Sequence, residues 1–163
     1  MAELACFVPG MLLLGIHTLP SADIDPRWQR TAEDLGETCY MMLKIGVHGL
    51  QPESVQFDMD SAANKKFSDM TPVDGRNLLR PETVESLYYL HYYSGDPKYR
   101  MWGYEMFQGF KNAKTKFGFS EVQDVTQENL TLNDKQESFF LGETLKYFWL
   151  LFAPHSVFDL SRD

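Results

Sequence analysis

The chain reads as an all-α protein whose only β-structure is a short strand or two in its loops. Three observations predict that class. Helix starts are written as residue–proline pairs, Asp25-Pro26, Arg80-Pro81 and Asp96-Pro97, and proline's fixed φ and missing N–H suit a first helical turn. Trp28, Ala32, Leu35, Cys39, Met42 and Leu43 recur at a three-to-four spacing, one apolar stripe of a helix. Ser138 to Phe152 is apolar almost all round, which predicts a helix buried within a larger body.

Composition narrows the functional classes. A chain of 163 residues with 44% hydrophobic content can bury a core and reads as one unit with no separate second domain. Aromatics at 14% suit either a dense helical core or stacking platforms for sugar rings. The net charge of −8, the pI near 4.9 and the scattered Lys and Arg argue against nucleic acid or an anionic membrane surface as partner. No apolar run reaches the ~18–20 residues of a membrane span. Met1-Ala2-Glu3 lacks the basic start of a signal peptide.

In chain order, Leu4 to Val8 predicts a short extended segment, followed by an apolar helix from Pro9 to about Gly15. His17 to Pro26 is a loop, with Asp25 as cap and Pro26 opening the striped helix that Gly46 and Gly49 close. His17 and His48 have no ligand spacing around them and read as loop or helix-end residues. Residues 50–77 are polar and irregular around a strand at Ser54 to Phe57, and the stretch from Asn64 to Arg76 reads as an exposed excursion. A helix runs from Pro81 to about Ser94 and stops at Gly95; Asp96-Pro97 restarts the chain as the second arm of an αα-hairpin. Trp102, Met106 and Phe110 form its core stripe. Phe117 to Val122 predicts a short strand or turn, and Asp134 to Glu137 a capping box before the last helix.

The chemistry concentrates in Leu78-Leu79-Arg80-Pro81-Glu82-Thr83-Val84-Glu85-Ser86. Glu82 and Glu85 fall in a first helical turn on roughly one face, where the helix N-terminus and Arg80 favour ionised carboxylates. Such a group can act as a general base toward water. The same pattern also describes an ordinary surface helix start whose acids complement the dipole. Glu143 stands between bulky apolar residues; a carboxylate there is either solvent-facing or engaged by a cation. Cys6 and Cys39 are either two core thiols or one disulfide. Asn129-Leu130-Thr131 is an N-glycosylation sequon, which points to an oxidising, secretory setting.

Four ordered blocks resemble class I α-1,2-mannosidases, glycoside hydrolase family 47. They are ELACFVPGMLLLG, ETCYMM, LLRPETVESLYYLHYYSGDPKYRMWGYEMF and DKQESFFLGETLKYFWLLF. The resemblance covers nearly all of the chain, yet that family's catalytic domain is roughly three times longer. It therefore implies the C-terminal portion of such a domain over 1–163, an incomplete part of an (α/α)7 toroid, whose partner is the missing N-terminal part. It implies hydrolysis, with inversion, of α-1,2-linked mannose on high-mannose N-glycans of glycoproteins. The setting would be the ER or Golgi lumen, with a membrane anchor outside these residues. Glu82 matches the family's base. Arg80, Glu85, Phe139 and Glu143 match sugar-binding positions, Phe139 as a stacking ring. Calcium is the implied cofactor, contacted through water by Glu82, Glu85 and Glu143; its direct Thr ligand falls beyond Asp163 and the general acid falls before Met1. By itself the chain is therefore expected to be inactive. Cys6 and Cys39 match the family's disulfide. Glu3 stands where the family carries a sugar-site His, which puts substrate contact there in doubt. The alternative is a non-hydrolytic mannose-binding relative acting in ER-associated glycoprotein degradation. That branch as a rule lacks the cysteine pair.

Overall fold

The computed structural model describes residues 1–58, 70–154 and 157–160. Five α-helices are seen among them: α1 (Val8–Thr18), α2 (Trp28–Leu43), α3 (Glu82–Ser94), α4 (Pro97–Phe110) and α5 (Leu145–Phe152). Two strands, β1 (Ser54–Phe57) and β2 (Met70–Asp74), pair antiparallel between α2 and α3.

The architecture is centred on α3, against which α1, α2, α4, α5 and the N-terminal turn all pack. Its sequence explains this. Thr83, Val84, Ser86, Leu87, Tyr88 and Leu90 are all buried, so the helix is covered on nearly every side. The main core joins Leu13, Ala32, Leu43, Leu87, Leu90, Met106, Phe110, Phe140, Phe148 and Leu151. Burying each such side chain contributes roughly 1.5–3 kcal/mol. A second, smaller cluster of Cys6, Cys39, Met42, Val55 and Met70 packs α2 against the strands. Gly95 ends α3 in the left-handed region at φ 69°, its N–H donating to His91 O at 2.8 Å. The side chain of Asp96 then caps α4 by accepting from Lys98 N at 2.9 Å.

Several sequence expectations change. Leu4 to Val8 is not extended: Glu3–Phe7 forms a 3-10 turn that runs into α1. The extended part is shorter and earlier, because Glu3 N donates to Glu53 O and Val55 N to Met1 O, both through main chain. Helix α1 continues past Gly15 to Thr18, whose hydroxyl back-bonds to Leu14 O at 2.7 Å. Asp25 accepts from Arg27 N at 2.8 Å, and regular helix begins only at Trp28. Strand β2 contains Pro72 opposite Val55, a residue type that argues against a strand unless it sits at an edge. The part of the expected excursion at 64–69 lies outside the described residues. Phe117 to Val122 forms isolated bridges, Lys114 with Phe119 and Val122 with both Asn77 and Leu132. The capping box is absent, since Asp134 has φ 51° and the chain enters its next helical turn only near Phe140.

That entry is itself irregular. Phe140–Thr144 is a π-helical turn, and regular α-helix follows at Leu145. Phe148 and Leu151 are buried, while Leu141, Trp149 and Phe152 are 63%, 58% and 42% exposed. Only one face of this helix is covered by the described residues.

Candidate active site

The approach to α3 is set by backbone. Leu79 is fully buried with φ 61°, a left-handed conformation that costs a non-glycine residue about 1–3 kcal/mol. It is held there because its N–H donates to Asn77 Oδ1 at 3.1 Å and its carbonyl accepts from Thr144 Oγ1 at 2.7 Å. Asn77 is fixed in turn by donating Nδ2–H to Gln51 O at 2.8 Å. This pins residues 78–82 between the strands and the π-helical turn.

Pro81 stands just before the helix, and Glu82 is its first residue. Glu82 is half-buried, and its Oε2 is buried without a hydrogen-bond donor among the described residues. Glu85 lies one turn on. Its Oε1 accepts from the Tyr147 hydroxyl at 2.6 Å. Burial pushes the Glu85 carboxyl above its ordinary range, the Tyr147 hydrogen bond opposes that, and the charges of Glu82 and Glu143 add to it. Those interactions place Glu143, on the π-helical turn, within electrostatic reach of Glu85. Glu143 is exposed, in line with the solvent-facing reading of a carboxylate among bulky apolar residues. The π-helical turn is what turns it outward while Phe140 and Thr144 face the core.

Arg80 makes a two-oxygen ion pair with Glu53, Nε to Oε1 at 3.1 Å and to Oε2 at 2.8 Å. Its guanidinium also lies 5.7 Å from the centre of the half-buried Phe139 ring. A flat cation beside a flat ring offers a donor-rich edge and an apolar face together, the chemistry that a sugar's hydroxyl and C–H faces need. Glu3, in the N-terminal turn, is only 2% exposed and approaches α3 from behind Glu82. Its Oε1 accepts from Thr83 N at 3.2 Å and Thr83 Oγ1 at 3.0 Å. Cys6, in the same turn, forms a disulfide with Cys39 of α2, Cα to Cα 5.9 Å. Ser86 Oγ donates to Cys6 O and accepts from Gly10 N at 3.0 Å, tying the turn and α1 to α3. Asn129 is exposed, as a glycosylation acceptor must be.

The structure therefore gathers Arg80, Glu82, Glu85, Phe139 and Glu143 around the start of α3, with Glu3 behind them. Among the described residues no group of three or more His, Cys, Asp or Glu closes on a point where a metal could be held directly. Glu85 feels the charges of both Glu82 and Glu143, and neighbouring carboxylates are the donor chemistry of outer contacts to a hydrated hard cation.

Sequence reasoning did not find Glu53, Thr83 or Tyr147. Glu53 lies in an irregular loop with no motif around it. Tyr147 could have been suspected, as a polar-tipped aromatic in an otherwise apolar helix.

Ionisable acids and a cation–ring pair thus stand together at the head of a buried helix in an all-helical hairpin framework. A solved structure has a similar fold: the alpha-1,2-mannosidase from Trichoderma reesei, an α/α barrel, superposes with a TM-score of 0.82 at 26% identity, over 94% of this chain and 33% of that one. The description of glycosyl hydrolase family 47 matches residues 1–162, and the chain belongs to that family. It is 43% identical over 157 residues to the endoplasmic reticulum mannosyl-oligosaccharide 1,2-alpha-mannosidase of Homo sapiens, covering 94% of this chain and 22% of the relative. It is 40% identical over 182 residues to the mannosyl-oligosaccharide 1,2-alpha-mannosidase of Candida albicans, covering 99% of this chain and 32% of the relative. The chain thus spans between a fifth and a third of the length of these relatives.

Proposed function

We propose that residues 1–163 are the C-terminal part of the catalytic domain of a calcium-dependent α-1,2-mannosidase that trims high-mannose N-glycans in the lumen of the secretory pathway. The observation that carries this reading is the convergence of Glu82, Glu85, Arg80 and Phe139 at the start of the most buried helix of a family 47 fold. The activities for which the human and Candida relatives are named support the substrate, and the endoplasmic reticulum in the human relative's name supports the compartment.

In this reading Glu82 is the base. A carboxylate at the first turn of α3 is stabilised by the helix N-terminus, and a half-buried position limits competing water. It takes a proton from a water that attacks the anomeric carbon from the face opposite the departing oxygen, which gives inversion. The acid that protonates the departing oxygen comes from outside residues 1–163. Arg80 and Phe139 orient the sugar, Arg80 with its guanidinium kept in place by Glu53. Glu85 is restrained by Tyr147 and, with Glu143, makes an acidic rim suited to a hydrated cation. Calcium, when bound, supplies positive charge and ordered waters to that rim.

The experiment is mannose release from an α-1,2-linked mannose oligosaccharide by the whole catalytic domain that contains this chain, with and without a calcium chelator. Release with inverted anomeric configuration, lost on chelation, is the expected result. Glycan binding without release would favour a non-hydrolytic lectin-like relative and overturn the reading.

A further inference from the structure

We infer that Glu3 and Glu82 form a carboxylic acid–carboxylate pair joined by one proton, with Glu3 the positioning residue that fixes the orientation of Glu82.

Two observations carry this. The first is that each carboxyl has one oxygen, Oε2, buried with no hydrogen-bond donor among the described residues. Glu3 is seated on the N–H and hydroxyl of Thr83, the residue next to Glu82, and Glu82 is the neighbour that acts on it most strongly. Two carboxylates cannot hydrogen-bond; a carboxylic acid and a carboxylate can, and the resulting O–H···O⁻ bond is among the stronger kinds. A single proton therefore satisfies both orphaned oxygens. Leaving both unmet would bury two repelling charges.

The second is the local charge count. The groups that face Glu3 are Glu82 of α3 and Glu53 of the loop before β1, with Arg80 ahead of α3 interacting with all three. Arg80 is already engaged by both oxygens of Glu53. That leaves Glu3 and Glu82 with no cation of their own in this cluster, and Glu85 on the next turn adds further negative charge toward Glu82.

The proton's place follows from exposure. Glu3 is 2% exposed while Glu82 is only half-buried, so the shared proton belongs on Glu3, the carboxyl farther from water. Burial and the neighbouring Glu82 both push the Glu3 carboxyl well above its ordinary range, which agrees with the geometry. Glu3 itself cannot swing away. Its Oε1 is held by Thr83 N–H and Thr83 Oγ1–H, and its turn is anchored to α2 by the Cys6–Cys39 bond. Glu82 is thus clamped by one oxygen, and its other oxygen is the one presented to a reacting water. The clamp deepens the reading of Glu82 as a base and rests on it only for its consequence in catalysis.

The test is infrared spectroscopy of the full chain at neutral pH, reading the C=O stretch of a protonated carboxylic acid, with 13C-glutamate labelling to assign it. One buried protonated glutamate is expected, its band lost in Glu3→Gln. The band should also fall in Glu82→Gln, whose amide N–H can donate to Glu3 and allow it to ionise. It should persist in Glu85→Gln. Circular dichroism checks that each variant keeps its helices. If no protonated carboxyl is present, or if Glu82→Gln leaves the band unchanged so that burial alone explains it, the pair is refuted. Because the band does not depend on turnover, its presence in a domain that releases no mannose would refute the hydrolase reading and leave the pair standing.

Discussion

Replacing both Cys6 and Cys39 by Ala isolates the contribution of the disulfide. The bond closes a loop with a sequence separation of 33, and both cysteines are at most 1% exposed within the cluster formed with Met42, Val55 and Met70. In the chain-entropy treatment, closing a loop of about 34 residues removes roughly 12–13 cal/mol/K from the unfolded ensemble, or about 3.8 kcal/mol at 25 °C. Alanine also removes two buried sulfurs, so the double variant should lose at least that much. At about 1.4 kcal/mol per decade, 3.8 kcal/mol corresponds to roughly a 500-fold change in an opening equilibrium. Hydrogen exchange at the α2 and α3 amides is the assay, because it reads local and global opening alike. Protection should fall by two to three decades in α2 and in the first turn of α3, which faces the disulfide-bearing turn. A loss under tenfold would show that the bond decorates a turn already fixed by its hydrogen bonds, and the entropy argument would fail.

Glu82→Gln in the whole catalytic domain should lower kcat by about 10²–10⁴ while glycan Kd changes little, as expected for loss of a general base; near-normal kcat would move the base elsewhere. Glu85→Gln and Glu143→Gln should instead weaken calcium binding, measured by titration calorimetry, with smaller effects on kcat. Tyr147→Phe removes the donor that holds Glu85 down against burial, so the Glu85 pKa should rise further in 13C-carboxylate NMR. Because the raised state of Glu85 favours the folded form only while the group is protonated, its contribution to stability is full below the ordinary carboxylate pKa and fades as pH rises through the folded value; the Phe variant should move that fading to higher pH. Gly109→Ala sets a methyl 1.9 Å from Gly49 O, and since that neighbour is backbone, the cost should be at least about 1–3 kcal/mol in thermal unfolding.

The helices were legible because their boundaries are written in proline, aspartate and glycine. Asp96-Pro97 and Gly95 mark the hairpin between α3 and α4, and the apolar stripe from Trp28 to Leu43 marks the body of α2, although the expected bounds at Pro26 and Gly46 lie outside the regular helix at both ends. The N-terminal 3-10 turn was not legible, since Leu4 to Val8 has the composition of a strand and its turn depends on main-chain bonds made by Met1 and Glu3 to residues 53–55. Strand β2 was hidden by Pro72. The identities of Glu82 and Glu85 as a pair could be read from spacing within one helix. The pairing of Glu3 with the start of α3 could not, because Thr83, its partner, is 80 positions away. Glu53 on Arg80 was invisible for the same reason: an ion pair across loops leaves no periodicity. For Glu143 the sequence left a solvent-facing and a cation-engaged reading open, and its exposure follows from a π-helical turn that no apolar periodicity announces.

That turn has a consequence for how this segment tolerates change in length. A π-helical turn holds one residue more than the α-helical turn it replaces, so the surplus residue is absorbed inside the turn and the helix beyond it leaves with nearly the phase of an unbroken α-helix. Deleting one residue within 140–144 would let the segment close to plain α-helix with Phe148 and Leu151 still against α3. What such a deletion would re-aim is the turn itself, the direction of Glu143 and the grip of Thr144 on Leu79 O. The same deletion inside α5 would instead rotate all that follows by about 100° and carry Leu151 off α3. The turn is thus a length buffer: it takes up a one-residue change that regular helix passes on.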